Sequence, residues 1–205
     1  MAGNRNVVWV APLAGLLLGV LDFVWIKYVP SPFGELGNSM AVWAVVAFLL
    51  TWRFWWSLPV SLAAAVVCLV VAGPSYYLAA ALIQNDDWSN LYNTNAFVWM
   101  GFGVIAGLVF GAAGVFARTP GRWQAVAVAV PVAVLFAEAV INARRVGDPS
   151  YDGSDQIGVM AVLVFLGVVL IPLAGRSWRR QGLVLLYALP LTVIGYVLLS
   201  VTGFR

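Results

Sequence analysis

Leu16–Pro30 reads "LLLGVLDFVWIKYVP", a run of aliphatic and aromatic side chains interrupted only by Asp22 and, near its end, Lys27. Joined to "VVWVAPLAG" at 7–15, it supplies the ~20 apolar positions with which an α-helix crosses a hydrocarbon core. Membrane β-strands would alternate over segments of about 10 residues, whereas this run is continuous. The stretch therefore predicts a transmembrane helix with a carboxyl group inside it.

The rest of the chain repeats the pattern. Of its 205 residues 63% are hydrophobic and 9% charged, with a mean hydropathy of +0.95, against roughly 25% charged in soluble domains. Apolar runs at roughly 7–26, 39–56, 58–83, 96–117, 124–142, 157–175 and 182–202 predict an all-α, polytopic bundle of about seven spans. Short polar connections make consecutive helices antiparallel neighbours, in a single integral membrane domain over residues 1–205. Ser57 ahead of Leu58-Pro59 reads as a helix start, and Pro74 predicts a kink in span three. The N-terminus, "MAGNRNVVWVAPLAGLLLGVL", has the basic and apolar regions of a signal peptide without an A-x-A cleavage site, and reads as an uncleaved first helix.

Basic residues set the expected orientation. With the N-terminus inside, Arg5, Arg53, Arg118, Arg122, Arg176, Arg179 and Arg180 face the cytoplasm, and Lys27, Arg144, Arg145 and Arg205 face outward. That excess predicts N-in, C-out. Glu35, Asp86, Asp87, Asp148, Asp152 and Asp155 all fall in outer connections. The net charge of +3 and pI near 9.3 come from span ends, so they give no reason to expect nucleic acid.

Several chemistries are excluded at once. The absence of histidine removes imidazole bases, imidazole metal ligands and Ser-His-Asp triads. The lone cysteine, Cys68, rules out a disulfide framework or a cysteine metal cluster within the chain.

Asp22 and Glu138 are the two acids within spans, each about four residues from the outer end, or ~6 Å at 1.5 Å per residue. Neither has a cation at the i+3 or i+4 spacing of a facing helix pair; Lys27 follows Asp22 by five residues and Arg144 follows Glu138 by six. Intramembrane acids usually face a bundle interior or a watery cavity. Structurally, each can hydrogen-bond across helices or pair with Lys27, Arg144 or Arg145. Functionally, each can deliver a proton or carry one in transport.

Ten Trp, seven Tyr and eleven Phe accompany these acids. "TWRFWW" at 51–56 reads as an interfacial belt. Trp25, Trp43 and Trp99 fall in the outer half at a depth comparable to the acids, and Tyr76 and Tyr77 follow Pro74. Aromatic faces stabilise cations, so these five, with Asn38 just ahead of span two, are the candidate substrate-binding residues. Asp22 and Glu138 are the candidate catalytic acids.

The outer connection "LIQNDDWSNLYNTNAF" carries hard oxygen ligands of the kind that bind Mg²⁺. Asp86, Asp87 and Asn90 are the metal candidates there, in a single copy that echoes the aspartate-rich motifs of prenyl-transferring enzymes. Capping and loop solvation account for the same residues, so no cofactor is required. Gly103, Gly107 and Gly111 recur every four residues in span four and predict a close-packing stripe, available to another helix of the chain or to an oligomer.

The segments "LGNSMAVWAVVAFLL" (37–50), "GPSYYLAAAL" (73–82), "VWMGFGVIAGLVFGAAGVFAR" (98–118) and "LFAEAVINA" (135–143) resemble a family of small actinobacterial multi-spanning proteins known as a domain of unknown function. That resemblance implies a bacterial inner-membrane protein and carries no catalytic residues. In size, span count and acid-plus-aromatic content the chain is also similar to small seven-span membrane terpene cyclases, an analogy of architecture alone.

The leading expectation is a membrane-embedded isoprenoid cyclase-like enzyme. An acid would protonate an alkene or epoxide in an aromatic-lined cavity opening to the outer side. The alternatives are a small proton-coupled transporter or channel-type protein and a non-catalytic scaffold subunit.

Overall fold

A computed structural model describes residues 6–201; Arg5 and Arg205, and the side chain of Asn38, lie outside the described residues. Seven α-helices follow one another: α1 (Val7–Tyr28), α2 (Met40–Arg53), α3 (Leu58–Gln84), α4 (Thr94–Arg118), α5 (Gln124–Arg145), α6 (Gly153–Leu170) and α7 (Trp178–Val201). Short 3-10 turns at Phe33–Asn38, Trp88–Leu91 and Ile171–Ala174 join some of them, and no strand occurs among the described residues. The protein is all-α, as its apolar runs predict.

Six of the helices are long and apolar enough to cross a membrane. The exception is α2, whose 14 residues extend about 21 Å, short of a ~30 Å hydrocarbon core. The apolar run at 39–56 looks longer because Phe54, Trp55 and Trp56 continue its hydrophobicity after the helix has ended.

Local chemistry sets the helix ends. Val29 is extended (ψ 125°) because the following Pro30 disfavours helical backbone before it. Ser39 Oγ accepts the Val42 N–H at 3.1 Å to cap α2. Asn85, at φ 60°, closes α3 in the left-handed region that asparagine tolerates. Asn93 Oδ1 accepts the Ala96 N–H at 2.9 Å at the start of α4. Helix α3 runs on through Pro74, which denies the Val70 carbonyl its usual donor.

The chain folds into two compact units, Met1–Val29 with Trp43–Val115 and Pro30–Val42 with Phe116–Arg205. In the first unit, Ala47, Ala65 and Leu69 are buried with Leu18, Trp43, Ala106 and Phe110 packed around them. Four helices thus contribute to one core. Small residues bring the backbones together: a Cβ on Gly19 of α1 would lie 2.7 Å from the Tyr76 nitrogen of α3, and one on Gly107 of α4 would lie 2.6 Å from the Val66 Cα. Gly103 and Gly111 likewise face Leu69 and Ala65. The stripe of span four is therefore occupied by α3 of the same chain, and the expected oligomer contact through Gly103, Gly107 and Gly111 has no support.

Trp56 departs from the belt reading. It is 2% exposed, stacks on Phe54 with ring centroids 4.7 Å apart and donates its indole N–H to Asn6 Oδ1 at 2.8 Å. Its neighbour Trp55 is exposed, as a belt residue should be.

In the second unit α5 is central, and its Val128, Val132 and Leu135 are fully buried. Both α6 and α7 pack on it. Thr192 of α7 donates to the Ala133 carbonyl at 3.4 Å, and Arg144 bonds the Tyr196 hydroxyl.

Candidate functional site

The site grows from one face of α1. Ala11, Gly15, Gly19 and Asp22 are its buried positions, joined by Phe23. Steps of four, four and three keep the first four on one side of a helix. Since Gly15 and Gly19 draw α1 onto the backbone of α3, the same face turns Asp22 into the protein. Asp22 is 9% exposed.

Its surroundings are aromatic. The Trp43 side chain, in the second turn of α2, hydrogen-bonds the Asp22 carboxyl group. The Asp22 carboxyl group acts electrostatically on Tyr76 of α3, whose ring meets Phe23 edge-on, with centroids 5.5 Å apart at 78°. Tyr77 meets Tyr76 at 5.5 Å and 87°. Asp22, Trp43, Tyr76 and Tyr77 therefore fall in one neighbourhood of the first unit. Phe23, which sequence reasoning passed over, completes it; its signal was the i+4 spacing from Gly19.

Asp22 forms no ion pair among the described residues. Lys27, the nearest cation in sequence, donates instead to the Ile83 carbonyl at 3.3 Å. Its ammonium stands 5.9 Å from the Phe23 ring centroid and 6.0 Å from that of Tyr28. The interfacial pairing of Asp22 with Lys27 is thus not the arrangement found.

Two of the expected rings sit at the protein surface. Trp25 is 44% exposed and Trp99 38% exposed, with Trp99 edge-on to Phe102 at 6.4 Å. The i+3 spacing puts Trp25 near Asp22 in helical angle, but Asp22 and Phe23 already occupy the buried side. The side chain of Asn38 lies outside the described residues.

Glu138 belongs to the second unit, where its partners are local to that unit. Its Oε2 accepts the Ala41 backbone N–H at 2.8 Å, and the Ser39 hydroxyl also hydrogen-bonds it. An acid at a helix start meets unsatisfied N–H groups and the positive end of the dipole. Arg145 adds a Coulombic pull on Glu138, with its guanidinium 5.0 Å from the Tyr151 ring centroid. This geometry gives Glu138 a clear structural task.

The outer connection between α3 and α4 is built as turns and caps. Asp87 Oδ1 accepts the Ser89 N–H at 2.8 Å, Asp86 Oδ2 accepts Gln84 Nε2 at 3.0 Å, and Asn90 Oδ1 accepts Asn93 Nδ2 at 3.2 Å. Hydrogen bonds from Ser89 hold the Asp87 carboxyl below the usual aspartate range. No group of three His, Cys, Asp or Glu side chains suited to a metal occurs among the described residues.

A family model described as "Family of unknown function (DUF6518)" matches residues 2–203. No curated protein and no solved structure matches the chain.

Proposed function

The chain belongs to that family of unknown function, and we propose that it is a multi-pass membrane enzyme in which Asp22 is the general acid. The substrate class is an apolar, isoprenoid-like alkene or epoxide. In this reading Asp22 in its neutral form gives its proton to the substrate π bond or epoxide oxygen. The aromatic faces of Trp43, Tyr76 and Tyr77 stabilise the cation that forms. Loss of a proton from the product cation returns the acid to its starting state.

The observation that supports this reading is a buried carboxyl group, unpaired with any cation among the described residues, beside Trp43 and Tyr76, with Tyr77 edge-on to Tyr76. A membrane acid without an ion-pair partner is costly to retain, and a proton-donating role gives a reason for it. Glu138 has a different reason, since it caps a helix. Asp22 is therefore the leading acid.

The proposed setting is the bacterial inner membrane with the N-terminus inside. Arg53, Arg118, Arg122, Arg176, Arg179 and Arg180 then lie on the cytoplasmic side, and Asp22 lies toward the outer side. Proteoliposomes supplied with a panel of isoprenoid alkenes and epoxides in D₂O test the proposal. A cyclised or isomerised product carrying deuterium at the initiating atom supports it.

A second reading rests on the same carboxyl group. Intramembrane acids serve proton-coupled carriers, and α3, α5 and α7 each contain an internal proline, a site where transport helices bend. Uptake driven by an imposed pH gradient, with no chemical change in the solute, distinguishes this carrier from the enzyme.

A further inference from the structure

A groove of about 320 Å³ opens at the end of the second unit where α6 passes through the Ile171–Ala174 turn into α7. Val168, Ile171, Pro172 and Leu185 make its wall apolar, with Trp178, Gln181 and Gly182 along one side. Its size falls at the lower end of ligand-binding clefts. Trp178 is 88% exposed at the start of a helix long and apolar enough to span a membrane, where an amphipathic ring marks the headgroup level.

Among the described residues of this unit, the charge at the groove's end of the helices has one sign. Arg176 and Arg179 flank Trp178 and are exposed, and neither forms an ion pair among the described residues. Arg180 reaches Gln124 Oε1 at 3.2 Å, which brings the start of α5, near Arg118 and Arg122, to the same end. The acids of this unit lie elsewhere. Asp148, Asp152 and Asp155 stand at the opposite end of the 18-residue α6, about 27 Å away by helix rise. Glu138 is 14 residues along α5 from Gln124, or about 21 Å. Glu35 belongs to the segment whose Pro32 packs on Gly158, in the first half of α6.

We propose that this groove binds an anionic phospholipid, with one acyl chain against Val168, Ile171 and Leu185 and the headgroup phosphate held by Arg176 and Arg179. Basic pockets between membrane helices recognise such headgroups, and the apolar wall adds what a free phosphate does not use. The groove shares no residue with the Asp22 site, and its function does not rest on the proposed chemistry there.

Native mass spectrometry and thermal unfolding of the full chain in neutral detergent, with phosphatidylglycerol, phosphatidylcholine or inorganic phosphate added, provide the test. Phosphatidylglycerol is expected to remain bound and raise the unfolding temperature, while the other two do neither. Arg176→Gln with Arg179→Gln should weaken retention roughly thirty-fold, at about 1 kcal/mol per basic residue near a headgroup. Gly182→Leu blocks the groove from within. A Cβ at Gly182 meets nothing within 4 Å, so this variant should fold and lose the lipid. Equal retention of phosphatidylcholine, an equal response to phosphate alone, or undiminished phosphatidylglycerol binding in both variants would overturn the proposal. If Gly182→Leu unfolds, the exposed arginine pair decides by itself.

Discussion

Glu138 Oε2 accepts the backbone N–H of Ala41 at 2.8 Å, tying the fourth turn of α5 to the first turn of α2. The carboxyl group satisfies a donor that the helix itself leaves open, beside a Ser39 cap on Val42. Glu138→Gln keeps an acceptor and should unfold within a few degrees of the native chain. Glu138→Ala removes it and should cost about 1–3 kcal/mol, the usual penalty for orphaning such a group. Thermal unfolding in detergent measures both; equal effects would show that the hydrogen bond contributes little.

Helix contacts in the first unit predict opposite outcomes for two glycines of α4. Gly107→Ala places a Cβ 2.6 Å from the Val66 Cα, a backbone atom that cannot swing aside. It should destabilise by about 1–3 kcal/mol, as overpacking does. At Gly101 a Cβ meets nothing within 4 Å, so Gly101→Ala should be neutral or stabilising by up to about 1 kcal/mol through helix propensity. Chemical unfolding of the pair checks the sign, and two equal responses would mean that α3 does not press on the stripe.

The cap of α6 predicts a pH dependence. Asp152 Oδ1 accepts the Ser154 N–H and hydroxyl at 2.8 and 2.6 Å and the Asp155 N–H at 3.4 Å. These bonds, those of Ser154 foremost, hold its carboxyl below the ordinary aspartate range. A group lowered in the folded state contributes stability that is complete above its unfolded value, about 3.9, and is lost as pH falls through the folded value. The unfolding temperature of the native chain should therefore exceed that of Asp152→Asn by a constant margin above about pH 5, and the margin should shrink below about pH 4. A margin that grows on acidification would reverse the assignment.

The sequence made much of this architecture legible. Hydropathy alone separates the long helices, whereas the packed face shared by Gly15, Gly19 and Asp22 shows only in the folded chain, where α3 presses on α1. What periodicity does not carry is the partner of a side chain distant in sequence. Glu138 and Ala41 are 97 residues apart, so the acid's place within an apolar helix was readable and its capping role was not. Trp56 failed for a related reason: its ring is as apolar as that of Trp55, and only the folded chain supplies Asn6 as its acceptor. The apparent length of span two had the same origin, because hydropathy does not register where the backbone leaves the helix.

Asp22 gives the most direct test of the proposed chemistry. Asp22→Asn retains an acceptor for the Trp43 indole and should leave the fold and its thermal unfolding close to native. It should also abolish deuterium-labelled product from isoprenoid alkenes or epoxides in D₂O, while Glu138→Gln retains turnover. Labelled product formed by the folded Asp22→Asn chain at the native rate would contradict the account.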